Sequence, residues 1–526
     1  MFLKYQLYNI FSIFSILFFI FPNILLSEEF SAKNQISVEI SNITFNGNTV
    51  IDSEILLNAA KKYIADIFQN QALTLDDMQQ LADHISFIYR EKGYIVAKAY
   101  VPPQELEQGH LKIEIIEGKI DKIIVNGNIY YKNKLIKKYF QSQLKNKIVN
   151  EPNLERSLML INDLPSLSST MILQKSEQHG AVDVVLNTVD KPAIDFGIAY
   201  NNYGSEIVSK NLFSTFFDVT DPVGGVNFNL QVVTGEDIND SYMINTNLSI
   251  PINSLGTKLN FDFLKSASVL AEEKVYLNIE GTTEIYGINI LHPFIKKRNK
   301  SFDLKMGYRK KSTEQTLGFD DQSEFDLNLL YSTLNFNNVD RFLGKNFASL
   351  SLSFGNLDSD SLKYDKDFYK LALFLTRIQK LGNYSLILLK TSSQLSSNSL
   401  SQMEKTVLGG YYYVRGYEPS LYLGDSGYTF SAEYMFPLPG LTEAKIKGKN
   451  LGEIFKFALF IDHGGIYNND SDVDLLGSKN LTGCGLGFRL FIDDFFDLKF
   501  DMGFPLNNIE NNDDFSAYVS GQWKFF

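Results

Sequence analysis

Val414-Arg415-Gly416-Tyr417 is followed by Gly424-Asp425-Ser426-Gly427, then by Glu433, and then by Phe460-Ile461-Asp462. One arginine and two acids, set apart by strand-like segments, fit a cation placed by a loop. It would meet carboxylates on neighbouring strands, inside a cavity too dry to leave it unpaired. That arrangement describes a plugged barrel better than an enzyme. The alternative is a plain surface turn at Arg415-Gly416, which gives no reason for a matching acid on a later strand.

The surrounding chain has the texture a barrel requires. From Pro192 onward helical periodicity disappears, and alternating segments of about ten residues recur between Gly, Asn, Asp and Ser clusters. In Leu498-Lys499-Phe500-Asp501-Met502-Gly503-Phe504 every second residue is large and apolar. In Phe457-Ala458-Leu459-Phe460-Ile461-Asp462, the residues Phe457, Leu459 and Ile461 face lipid and leave Ala458, Phe460 and Asp462 inside. Ala193 to Phe526 spans 334 residues, which at about 20 per strand gives roughly 16 strands. A β-sandwich or soluble β-helix would not account for the aromatic excess and the aromatic end Trp523-Lys524-Phe525-Phe526 together. Val519, Trp523 and Phe525 share one frame and Phe526 the other, so the register of the last strand stays open.

Upstream lies an internal repeat. Ile40-Ser41-Asn42-Ile43-Thr44-Phe45-Asn46-Gly47-Asn48 returns as Ile120-Asp121-Lys122-Ile123-Ile124-Val125-Asn126-Gly127-Asn128. Each copy is an alternating strand ending in an Asn-Gly-Asn turn. In the first copy Thr74 and Asp77 form a capping-box pattern, Met78, Leu81, Ile85 and Ile88 line one helix face, and Gly93 stops the helix. Strands at Tyr94 to Val101 and Leu111 to Ile116 close the unit. In the second copy Leu135 to Phe140 suggests a helix, Asn150 and Pro152 open another, and Ser169 to Lys175 and Val182 to Val189 read as strands. Periodicity gives element order but not pairing, so a tandem ferredoxin-like pair is the alternative.

The N-terminus carries Lys4 and an apolar run from Ile10 to Leu26 before Glu28 and Glu29, a secretory signal pattern ending at Ser27. An uncleaved anchor is the alternative, because the run approaches the length of a membrane helix. The net charge of −12 without a basic cluster excludes nucleic acid as the expected partner. Cys484 is the single cysteine and forms no internal disulfide. His84, His110, His179, His292 and His463 lack metal-ligand spacing, and neither a nucleophile elbow nor a phosphate loop is present. The expectation is therefore no enzyme, no cofactor and no metal. Acidic pairs such as Asp493-Asp494 read as solvated loops.

The order of the repeated units, with Gly93-Tyr94, Pro102-Pro103-Gln104 and Ile116-Glu117-Gly118, resembles the POTRA domains in front of outer-membrane transport barrels. Combined with the Arg415 motif set, the later acids, Asn202-Tyr203-Gly204-Ser205 at the first barrel strand and the chain end, the sequence resembles the two-partner secretion transporters of the ShlB/FhaC/HecB family. The resemblance implies α+β periplasmic domains followed by an antiparallel transmembrane β-barrel of about 16 strands. Residues 1–27 are then the signal peptide, 28–35 a short N-terminal segment, 36–118 and 119–191 two POTRA-like domains, and 192–526 the barrel.

It further implies that a loop around 404–427 folds into the lumen. Val414, Arg415, Gly416 and Tyr417 form its tip, Asp462 and Glu433 are the wall partners, and Tyr417 and Phe460 pack around the charge. Family members carry a plug helix ahead of the first domain. Glu28 to Gln35 would give about 12 Å of helix against a bilayer core of roughly 30 Å, so either the plug is missing or cleavage falls elsewhere.

The implied function is export of a partner protein through the outer membrane of a Gram-negative bacterium. The partner arrives unfolded, engages through its N-terminal secretion domain, and adds a strand to an exposed edge. Tyr94, Ile95, Val96, Ala97, Lys98, Ala99, Tyr100 and Val101 are the candidate edge. Outer-membrane lipids and the barrel-assembly machinery are further expected partners. A barrel-assembly factor and a passive porin are the competing readings, and a neighbouring gene for a β-solenoid secreted protein would discriminate among the three.

Overall fold

The computed structural model describes residues 37–525 apart from 144–146, 270–278, 318–320, 360–366, 447, 470–477, 493–494 and 510–512. The signal-peptide and 28–35 readings, Asp493-Asp494 and Phe526 lie outside these residues.

The first unit is a three-stranded sheet with two helices, Ser53–Phe68 and Leu75–Glu91. Asn42–Asn46 runs parallel to the central strand His110–Ile116, and Lys98–Tyr100 pairs antiparallel on its other side, as an edge. The second helix starts at the expected capping box. Thr74 Oγ1 accepts from Asp77 N at 3.2 Å, and Asp77 Oδ2 accepts from Thr74 N at 2.9 Å. Met78, Leu81, Ile85 and Tyr89 form its buried face, while Ile88 is only half-buried.

The edge strand is shorter than the sequence reading of Tyr94 to Val101. Only Lys98, Ala99 and Tyr100 pair with the sheet. Residues 95–96 form a turn, and Val96 packs into the apolar core around Ile136 and Leu154. Burial of Val96 outweighs the strand preference that its β-branched neighbourhood signals.

The second repeat copy has the same order. Lys119–Asn126 runs parallel to Ala181–Asp190, which pairs antiparallel with Leu167–Lys175. The helices Asn133–Gln143 and Glu151–Asn162 cover it, the latter capped by Asn150 with Pro at its start. The repeated glycine has one cause in both copies. Gly47 and Gly127 have φ of +88° and +83°, and a Cβ would sit 2.3 Å from Ile115 O and 2.4 Å from Thr188 O.

Beyond it, sixteen strands close into an antiparallel barrel. The first, Ile194–Asn201, pairs with the last, Ser516–Lys524. Strands six to eight, Ile279–Lys297, Lys300–Leu317 and Asp321–Val339, are 18 to 19 residues long. Spanning needs only about 10, so these strands project well past a bilayer. Phe261, Tyr286, Ile288, Met306, Leu330, Leu352 and Leu459 are exposed on the outer face. A continuous apolar belt of this kind fits lipid, not water. Tyr518 is buried on the inside, which sets the last strand's register and leaves Trp523 and Phe525 exposed on the outside.

The second module meets the turns at the near end of the barrel. Arg156 donates to the carbonyls of Leu255 at 2.9 Å and Phe294 at 3.2 Å and also to Pro293. Lys296 Nζ pairs with Asp163 Oδ2 at 2.6 Å. Within the module, the buried Asp190 carboxylate accepts from Ile129 N at 2.8 Å and from Tyr130 N and Tyr131 N at 2.9 and 2.8 Å, closing the second Asn-Gly-Asn turn. Asp190→Ala orphans three backbone donors and should destabilise this module by about 2–3 kcal/mol. Hydrogen exchange at residues 129–131 of the purified protein reports it, and unchanged protection would contradict the assignment.

Candidate functional site

The loop of residues 397–425 joins the eleventh barrel strand, Ser385–Ser396, to the twelfth, Ser426–Pro437. Its legs pair as a short ribbon, Thr406–Leu408 against Tyr422–Gly424. Leu400 inserts into an apolar cluster of Leu327, Leu329, Leu357 and Phe368 from strands eight to ten. Nearby, the buried Glu404 carboxylate is held by the ammoniums of Lys311 and Lys370. Asp425 is fully buried and accepts from Leu400 N and Asn469 N, both at 2.8 Å, with Lys405 Nζ at 3.2 Å. These groups fix the base of the loop and send its tip toward strands twelve to sixteen.

At the tip Arg415 is 5% exposed. Its Nε and Nη2 donate to the two oxygens of Asp462 at 2.7 and 3.0 Å, and its backbone N–H reaches the same carboxylate at 3.2 Å. Nη1 donates to Glu433 Oε2 at 3.0 Å, and the guanidinium lies 3.3 Å from the centre of the Phe460 ring. Fork geometry, charge assistance and ring stacking all favour arginine over lysine here. Arg415, Glu433, Phe460 and Asp462 thus form one buried cluster.

Gly416 has φ of +98°, and a Cβ there would meet Phe504 C and Pro505 N at 2.8 Å. Its N–H donates to Tyr518 Oη at 3.1 Å. Tyr417 departs from the expectation that it surrounds the charge. It packs with Leu408, Val414, Ile466 and Leu481, and its hydroxyl donates to Thr482 O at 2.7 Å. The backbone turn at Gly416 carries the Tyr417 ring away from the guanidinium.

Other members of the site escaped the sequence reading. Arg489 Nη2 donates to Glu433 Oε1 at 2.8 Å and lies 2.8 Å from Asp501 Oδ1. Asp501 Oδ2 is also 3.7 Å from Arg415 Nη1, yet no well-aligned hydrogen bond reaches either Asp501 oxygen. The socket therefore balances two guanidiniums against three carboxylates. Tyr411 stacks on Tyr203 at 3.6 Å between ring centres and lies 5.4 Å from Tyr518, so the tip bridges the segment just after the first strand and the last strand. Gly483-x-Gly485-x-Gly487-x-Arg489 was the available signal. Its period of two describes a smooth inward track with a cation at its end. Glu404 offered none, because its lysines come from distant strands. His463 bonds Thr482 Oγ1 at 2.9 Å and Tyr428 Oη at 3.2 Å, with no metal-ligand grouping among the described residues.

Gly483 is the cross-strand partner of Asp462, and a Cβ there would come within 2.0 Å of Arg415 O. Gly483→Ala should therefore unseat the tip while the barrel stays closed. Single-channel recording should show larger or more frequent openings than wild type; an unchanged trace would refute this account of the seat.

A family model described as POTRA domain, ShlB-type, matches residues 38–118, and one described as haemolysin secretion/activation protein ShlB/FhaC/HecB matches residues 180–490. The heme/hemopexin transporter protein HuxB of Haemophilus influenzae is 25% identical over 512 residues, covering 90% of this chain and 84% of that protein. The outer membrane transporter CdiB of Dickeya dadantii is 25% identical over 164 residues, 31% of this chain and 28% of that protein. Among solved structures, CdiB from Escherichia coli has a TM-score of 0.78 at 17% identity, covering 96% of this chain and 93% of that one. BamA from Haemophilus ducreyi lacking POTRA domains 1-3 has 0.54 at 13% identity, covering 93% and 100%. At these identities the structural likeness is one of fold.

Proposed function

The chain belongs to the ShlB/FhaC/HecB family of haemolysin secretion/activation proteins, outer-membrane transporters that act with a secreted partner protein, and from that premise we propose how this member works. The partner arrives unfolded through its N-terminal secretion domain and adds a strand to the edge that contains Lys98, Ala99 and Tyr100, displacing the Ser86 hydroxyl that bonds the Ala99 N–H and C=O. Residues 36–118 and 119–191 act as two receiving modules, and residues 192–526 as the conduit. No nucleotide is hydrolysed. The chain's exposed Trp523 and Phe525 suit recognition of the last strand by the barrel-assembly machinery before insertion among outer-membrane lipids.

The observation that carries this reading is the Arg415 cluster. A loop pinned by Glu404 on one wall and by Arg415 on another lies across the interior, so passage of a chain requires the tip to leave its seat. Arg415 without Asp462, or Asp462 without Arg415, is a poorly compensated buried charge costing on the order of 3–5 kcal/mol. Arg415→Ala and Asp462→Ala should each reduce export strongly with barrel abundance in the membrane unchanged. The double substitution should be little worse than either one, because the two residues share one interaction. Surface display of the co-expressed partner measures it. Additive losses would mean that the residues act separately. Arg415→Asp combined with Asp462→Arg should recover only part of the activity, since Glu433 and Asp501 then face the wrong charge.

A further inference from the structure

The loop rests on strands seven to ten and twelve to sixteen. The arc between them carries two rows of polar side chains. Asp218, Asn229, Asn247 and Asp262 are successive cross-strand partners on strands two to five. One step toward the near end, Ser249, Asn260 and Asn289 are partners on strands four to six. Their sequence neighbours Phe228, Phe261, Ile288 and Ile290 are exposed on the lipid side, so alternation turns these polar residues inward.

The rows are knitted together. Asn229 Nδ2 donates to Asp218 Oδ2 at 3.4 Å, and Asn247 and Asn289 donate to the two oxygens of Asp262 at 2.6 and 2.8 Å. Asn260 donates to Asn289 Oδ1 at 2.8 Å. Each of these bonds uses one N–H of an amide that has two, together with two acceptor lone pairs. Asn260 and Asn289 are buried and brace the row, whereas Asn229 and Asn247 are only half-buried and keep amide capacity toward the lumen.

We propose that this amide wall is the track along which the secreted partner crosses the barrel, a proposal that rests on the export reading above. An unfolded chain in a narrow lumen must keep its backbone N–H and C=O groups satisfied. Asparagine offers a donor and an acceptor in one uncharged group, so it exchanges bonds with any backbone whatever its side chains. A wall of lysines would hold acidic segments and an apolar wall would hold greasy ones. Amides do neither, and each contact is weak enough to be surrendered as the chain advances.

The test arrests a partner fused at its C-terminal end to a stably folded domain, with photoreactive benzoylphenylalanine at position 229 or 247 of the full transporter. Positions 499 and 522, inward on strands fifteen and sixteen, serve as comparisons. Crosslinks to the partner at 229 and 247 and not at 499 and 522 are expected. Asn229→Leu with Asn247→Leu should slow export about tenfold, the scale of one or two lost neutral hydrogen bonds. Heat-modifiable migration should show the barrel folded, and Asn→Gln at both positions should restore most of the rate. Export that proceeds while crosslinks form only at 499 and 522, or a double leucine variant that exports at the wild-type rate, would overturn the track and leave the export reading standing. A wild-type barrel that displays no partner at all removes both.

Discussion

A guanidinium cannot be taken out of water without carboxylates placed to receive it, and the Arg415 seat is organised around that constraint. Three strands supply the charge, through Glu433, Asp462 and Asp501, and a fourth supplies Arg489 to keep those carboxylates from repelling one another. The rest of the wall then has to be small. Phe460 lies flat beneath the guanidinium only because Gly485 is its cross-strand partner, and the Arg415 carbonyl fits only because Gly483 has no side chain. One buried cation thus determines residue choice on four neighbouring strands.

The base of the loop obeys the same rule with the signs exchanged. Glu404 is a buried carboxylate between two ammoniums, and Asp425 satisfies two backbone donors that would otherwise be orphaned. The loop is therefore a beam fixed at both ends. Its charge pairs lie on separate arcs of the wall, and among the described residues strands two to six supply none of them. The support for the loop and the proposed amide track thus use different sectors of one barrel, and the track is freed for a chain when the tip leaves its seat.

Much of this was legible in the sequence wherever a local rule operates. The capping box at Thr74 and Asp77, the repeated Asn-Gly-Asn turns and the alternation around Asp462 each depend on residues close in sequence, so pattern alone exposes them. The strand from Tyr94 failed for the opposite reason. Val96 is claimed by a core whose buried members begin at Ile120 and belong to the second module. Arg489 and Asp501 are diagonal neighbours across one hairpin, where Gly487 pairs with Asp501 and Arg489 with Lys499, so their meeting depends on a strand register that alternation alone does not give. Tyr417 illustrates the limit of motif reading, since the glycine beside it decides which way its ring points.

The strength of the seat also depends on how dry it is. With the tip in place, opposite charges about 4 Å apart attract by roughly 4 kcal/mol at an effective dielectric near 20, but by about 1 kcal/mol in water. Displacement of Tyr411 from Tyr203 and Tyr518 opens the aromatic cover beside the tip. Water that enters then weakens each remaining ion pair while hydrating the charges it separates. Departure of Arg415 leaves the three carboxylates with Arg489 as their ion-pair partner and Lys390 nearby, an imbalance that favours a wetted lumen. A seat built this way resists small fluctuations and yields cooperatively once its cover is broken, as a barrel requires if it is to stay shut between cargo molecules and open fully for one.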